Sequence, residues 1–153
     1  MRCNVGVNPK YLLDQHLIAE YEELPMLIGS LKYWNWEIKS EIPIKFKLGT
    51  GHMNFLKIRL AYIKRRHIEI KKEMNIRGFK NDSLTIDLKN IDNKFCNDWK
   101  PDWEATIIIR KRIIQRILNF KDITWWRFHR KKMNKRKIDL IIDLNFRGEL
   151  FYV

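Results

Sequence analysis

Leu56, Leu60, Ile63, His67, Ile70 and Met74 recur at three- and four-residue spacing. A stripe held for that long fits one face of an α-helix and no β-strand. It predicts one long helix, ended by Gly78 where a left-handed C-terminal cap belongs. The same period appears near the start. Asn8-Pro9 reads as a helix start, because Asn caps the first amides and Pro at the first helical position gives up an amide that would be orphaned anyway. Leu13, Leu17, Tyr21, Leu24 and Ile28 then mark a buried stripe, with Pro25 kinking the helix. At about 100° per residue, His16, Glu20 and Glu23 share one polar flank, and Gln15, Glu22 and Met26 share its neighbour. Both flanks are expected to be free to face a ligand.

Between these helices lie an aromatic stretch, Tyr33-Trp34-Asn35-Trp36, and a connection around Pro43. The Gly49 and Gly51 pair is not a phosphate-binding fingerprint, since no strand and no further glycines frame it. It is expected to be a tight turn capping the second helix, with His52 in the first turn. Residues 80–100 alternate polar and apolar without Gly or Pro punctuation and read as a loop with one short helical turn. Pro101 opens a third helix from Asp102 to about Asn119, with Ile107, Ile114 and Leu118 facing inward and Arg110, Lys111, Arg112 and Arg116 on other sides. From Arg127 to Lys137 basic residues dominate with no acid among them. Ile138 to Leu144 alternates like a strand, and Asn145 to Gly148 reads as a turn into Glu149–Val153. The fold class is therefore all-α: a compact three-helix single domain with long loops and a short C-terminal β-hairpin extension. A chain of 153 residues has the size of one ordinary domain.

Charge narrows the partner. With 31 lysines and arginines against 18 acids, the net charge is +13, which calls for nucleic acid or an anionic surface. No stretch has the ~18 uninterrupted apolar residues of a membrane span, so nucleic acid is expected and no membrane. The first residues lack a signal peptide's apolar core, which predicts an intracellular protein that is not secreted. Cys3 and Cys96 are expected to be reduced packing residues. His16, His52, His67 and His129 show no zinc spacing, so no metal is assigned.

Glu23 is the first candidate for chemistry, as a carboxylate that neighbours or burial can tune for proton transfer; on position alone the solvated helix acid is the favoured reading. His16, on the same flank, either orients that carboxylate, contacts a phosphate or is a half-buried polar residue. Trp125 and Trp126 either stack on bases or close the core. Trp125 is assigned to the core and Trp126 to a surface facing DNA.

The segment Asp14-Gln-His-Leu-Ile-Ala-Glu-Tyr-Glu-Glu-Leu-Pro25 closely resembles the Asp-Gln-His-Leu-x-Ala-Glu-Tyr-Arg-Glu-Leu-Pro segment of the pyrimidine-dimer DNA glycosylases, ultraviolet-repair enzymes of the phage endonuclease V type. Leu48-Gly-Thr-Gly-His52 and Arg77-Gly78-Phe79 are similar to the family's Leu-Gly-x-Gly-His and Arg-Gly-Phe elements, with Lys64-Arg65-Arg66 between them. Glu104-Ala105 and Thr124-Trp125-Trp126 resemble later landmarks in the same order. The resemblance covers roughly residues 1–130, leaving 131–153 as a basic C-terminal extension.

The resemblance implies a monomeric enzyme without metal or cofactor that excises ultraviolet-induced cyclobutane pyrimidine dimers and cuts abasic sites in double-stranded DNA. Its N-terminal α-amine attacks the sugar C1′, the base leaves, and the resulting imine permits β-elimination. An α-amine suits this step because its intrinsic pKa of about 7.7–8.0 leaves a useful neutral fraction where a lysine amine would need burial. Arg2 and Asn4 match the family's early arginine and asparagine if Met1 stands at the nucleophile position. The nucleophile is then the Met1 amine, its side chain is expected to be unimportant, and Glu23 is the catalytic carboxylate. DNA contacts are expected from Arg2, Gln15, His16, Lys64, Arg65, Arg66, Trp126, Arg127, Arg130 and Lys131. Glu22 and Met26 stand where the family has arginines, which removes positive charge from one flank. The rival reading is a non-catalytic DNA-binding protein that keeps the fold.

Overall fold

The computed structural model describes residues 1–147. It is helix-dominated, with a two-stranded antiparallel hairpin near the C-terminus. A 3-10 turn, Pro9–Tyr11, precedes α1 (Asp14–Glu23), α2 (Met26–Tyr33), α3 (His52–Lys57), α4 (Leu60–Ile76) and α5 (Trp103–Leu118). Then come β1 (Arg127–Phe128), β2 (Lys131–Lys132), α6 (Lys135–Ile141) and a π-helical segment, Ile142–Arg147. No helix among the described residues is long and apolar enough to cross a membrane. The chain divides into two compact units, Met1–Cys3 with Ile18–Lys100, and Asn4–Leu17 with the described part of Pro101–Val153.

In the first unit, the expected first and second helices are each broken. Pro25 separates α1 from α2 rather than kinking one rod, because it brings no amide to the i−4 carbonyl. At Ile58 and Arg59 the backbone leaves the helix to serve the loop that follows α4. The Ile58 carbonyl accepts from the Asn97 amide at 3.3 Å and its Nδ2 at 2.9 Å, and Arg59 bridges Cys96. The predicted stripe is otherwise right: Leu56, Leu60, Ile63, His67, Ile70 and Met74 are all buried. Gly78 has φ +79°, the left-handed cap expected there, and His52 opens α3 behind Gly51. The loop 80–100 holds one 3-10 turn, Asn93–Phe95. Trp99 pins its end, with its ring against Phe46, Phe55 and Tyr62 at 5.0–5.7 Å between centroids.

In the second unit, Asp102 caps α5 by accepting from the Ala105 amide at 2.8 Å. The inward face of α5 is Ala105, Thr106, Ile109, Ile113 and Ile117, while Ile107 and Ile114 are half-buried and Leu118 is 50% exposed. Isoleucines at 107–109 and 113–114 spread apolar side chains over more than one face, so period alone misplaced the stripe. The small pair Ala105 and Thr106 admits the N-terminal segment. A Cβ on Gly6 (φ +73°) would lie 2.0 Å from Thr106 Oγ1, so only glycine fits.

The strand expected over Ile138 to Leu144 is helix. Ile138, Ile141, Ile142 and Phe146 are buried at helical spacing, and Asn134 caps α6 by accepting from the Lys137 amide. The alternation was incidental, since Leu140 and Leu144 face solvent. Asn145–Arg147 continue the π-helical segment, and the Glu149–Val153 strand lies outside the described residues. The hairpin forms earlier, with Arg127 opposite Lys132 and Phe128 opposite Lys131.

Candidate active site

Glu23 is the last residue of α1, and Met1–Cys3 belongs to the same unit. The Arg2 amide donates to Glu23 Oε2 at 2.6 Å and its Nη1 donates to Oε1 at 3.2 Å. The Met1 α-amine stands 3.8 Å from Oε2. Two positive groups and one amide therefore converge on a carboxylate whose side chain is 22% exposed. Cys3 is buried, and the Met1 side chain is 3% exposed.

One turn before Glu23, Glu20 is fully buried and takes Arg66 of α4 in a forked pair, Nε to Oε1 at 2.7 Å and Nη2 to Oε2 at 3.1 Å. Burial alone would lower the guanidinium pKa. The Glu20 charge and hydrogen bonds outweigh it and raise the pKa above its ordinary value, so Arg66 stays charged. Next to the pair, burial first, then Cys3 and the Glu20 and Glu69 carboxylates, push the Tyr62 hydroxyl well up against the opposing charge of Arg66, and it stays neutral. On the other side of α1, His67 Nε2 meets the Tyr21 carbonyl at 2.9 Å and its ring stacks on Tyr21. Burial lowers the His67 pKa, which favours the neutral ring. These contacts fix the C-terminal half of α1 on α4 and so fix Glu23.

Not every residue expected to contact DNA is exposed. Arg66 is buried in the Glu20 pair and offers no surface. His16 is also buried, its ring 4.9 Å from that of Trp126. The burial of the two tryptophans is the reverse of that expected: Trp126 is 4% exposed and Trp125 is 46% exposed. The flank of His16, Glu20 and Glu23 is thus inside apart from Glu23, whereas Glu22 and Met26 are exposed. Gln15 spends its amide on its own chain, donating to the Trp125 carbonyl and accepting from the Arg127 amide. Lys64, Arg127, Arg130 and Lys131 lie on the surface, Arg65 is tied to Asp98 at 2.9 Å, and Arg2 is exposed while gripping Glu23.

Asp14 escaped the sequence reading. It is buried, and its two oxygens accept from the His129 and Arg130 amides at 3.1 and 2.7 Å. Those two residues turn the hairpin with φ of 49° and 66°, the positive values that a two-residue turn with the strands' twist requires. The Glu20–Arg66 pair was missed as well, although Arg66 falls on the inward side of a stripe that runs Ile63, His67, Ile70. A charge in that register needs a buried partner.

A family model described as pyrimidine dimer DNA glycosylase matches residues 2–87, a span that holds α1, Arg2, Glu23 and the Glu20–Arg66 pair. With more than half of its length matched, the chain belongs to the pyrimidine dimer DNA glycosylase family.

Proposed function

We propose that the protein excises cyclobutane pyrimidine dimers from ultraviolet-damaged double-stranded DNA and then cleaves the strand as an abasic-site lyase. The observation that carries this reading is the Met1 amine 3.8 Å from Glu23 Oε2, a separation that a small rotation of the terminus closes to hydrogen-bond length. The neutral amine attacks C1′ of the damaged nucleotide, and the glycosidic bond breaks with its electron pair leaving on the base. Ring opening gives an imine between nitrogen and C1′. Loss of a C2′ proton then expels the 3′ phosphate, and water releases the sugar from the amine. Glu23 stabilises the positive charge that builds on the sugar and relays protons between these steps. Arg2, which holds both carboxylate oxygens, keeps that carboxylate aimed at the terminus.

On this reading residues 1–130 form the glycosylase domain, and the extension 131–153 adds charge for the backbone. Arg127, Arg130, Lys131 and Lys64 contact phosphates, and Trp125, in place of Trp126, offers the exposed ring. The protein works inside the cell as a monomer, bending DNA and extruding a nucleotide at a cost of a few kcal/mol that damage reduces.

The test is borohydride trapping of untagged protein, its terminus checked by intact mass, on ultraviolet-irradiated and abasic duplexes. Adducts are expected on both, abolished by N-terminal acetylation and reduced at least about 100-fold in rate by Glu23→Gln. An adduct on the abasic duplex alone would place the loss of dimer recognition on Glu22 and Met26. Binding with no adduct on either substrate would favour the non-catalytic reading.

A further inference from the structure

The aromatic stretch that follows α2 is not absorbed by the site around Glu23. Tyr33 is 78% exposed and Trp34 is 44% exposed, large values for two adjacent aromatic rings. Their centroids are 5.0 Å apart and their planes stand at 88°, so they form a corner rather than a flat patch. A planar group laid on one ring would meet the other with its edge. The Lys39 ammonium sits 4.4 Å from the centre of the Trp34 ring, and Lys32 is exposed on the last turn of α2. From Lys32 to Lys47 the segment carries four lysines, at 32, 39, 45 and 47, against two glutamates, at 37 and 41.

The corner is held rigidly. Asn35 and Trp36 are consecutive non-glycine residues with φ of 51° and 62°, a costly pair of conformations that persists only where surroundings fix it. Here the Trp36 amide donates to the Leu31 carbonyl at 2.7 Å and the Asn35 amide to the Lys32 carbonyl at 3.1 Å. The Trp36 ring packs 5.6 Å from that of Phe95, which is buried. One tryptophan thus anchors the turn while its neighbour is displayed.

We propose that Tyr33, Trp34 and Lys39 form a nucleobase-stacking site that takes an unpaired base of a DNA strand, with the lysines on its flanking phosphates. Stacking on an aromatic face needs no particular base, which suits a site receiving whichever base loses its partner when a nucleotide is extruded. The proposal rests on the DNA-repair reading.

The test measures binding of a fluorescein-labelled oligo-dT and of an undamaged duplex of the same length, across salt concentrations. The protein is wild type, Tyr33→Ala/Trp34→Ala, Tyr33→Phe/Trp34→Phe or Lys39→Ala, each checked by thermal melting. The double alanine variant is expected to weaken oligo-dT binding about tenfold or more without changing the slope of log affinity against log salt. The double phenylalanine variant restores most of the loss, and Lys39→Ala makes the slope shallower by about 0.7. Unchanged oligo-dT affinity in the alanine variant overturns the proposal, as does an equal loss on duplex. So does sedimentation showing a wild-type dimer that the variant dissolves, because the corner is then a face between copies. Trapping on an abasic duplex, run in parallel, separates the two readings: wild type that stacks oligo-dT but forms no adduct loses the enzyme and keeps the site.

Discussion

Arg66 shows what a single residue's register decides. Its charge invites a DNA contact, yet it stands on the inward stripe of α4 and meets Glu20 with a forked pair of hydrogen bonds at 2.7 and 3.1 Å. Taking both charges out of water is expensive, and their attraction offsets the cost only while both are present. Glu20→Ala is therefore expected to destabilise the protein by about 3–5 kcal/mol in urea titrations. The half-exposed Glu69, 3.9 Å from the guanidinium, is too distant and too hydrated to replace Glu20. Joint replacement, Glu20→Leu with Arg66→Met, should recover most of the loss. A cost below about 1 kcal/mol for the single change would mean that the pair does not hold α1 to α4. Glu23 was singled out at this scale because its neighbours in sequence resemble a known motif. Glu20 was not, because flank counting treats every polar residue as solvent-facing until a buried partner is found.

At the scale of elements, α4 was legible from its stripe and cap, whereas α5 and the tail were not. Period identifies a face only when the other faces are polar, and the isoleucines of α5 spread over more than one face near 107–109. In the tail, alternation and helical spacing competed over the same residues, and the Asn134 cap decided for helix. The hairpin was displaced for a different reason. Its turn residues, His129 and Arg130, are not ones that favour positive φ strongly enough to announce a turn. The turn is held by Asp14, more than a hundred positions earlier, which no local pattern can reveal. Asp14→Ala would leave two amides without this acceptor at about 1–3 kcal/mol each where they stay buried. Hydrogen exchange at the His129 and Arg130 amides should then accelerate by about tenfold or more, while amides in α4 exchange as before. Unchanged protection at those two amides would show that the hairpin holds its own turn.

For the whole molecule, composition gives +13 but not where that charge can meet a polyanion. Part of it is withdrawn inside: Arg66 and Arg77 are buried against Glu20 and Glu73. The hairpin and its surroundings keep Arg127, Arg130, Lys131 and Lys132 in solvent. Each phosphate contact releases counterions and adds about −0.9 to the slope of log affinity against log salt on duplex DNA. Four such contacts predict a slope for undamaged duplex no shallower than about −3.6, and Arg130→Ala with Lys131→Ala should relax it by about 1.8. The flank of Glu22 and Met26 supplies the opposite experiment. Both side chains are exposed on α1 and α2, so Glu22→Arg with Met26→Arg adds two accessible cations and removes one anion with little effect on the fold. If that flank lies along the DNA backbone, the slope steepens by about 2 and affinity rises most at low salt. If the slope does not change, the flank faces away from DNA, and the loss of the two arginines never cost the protein its grip.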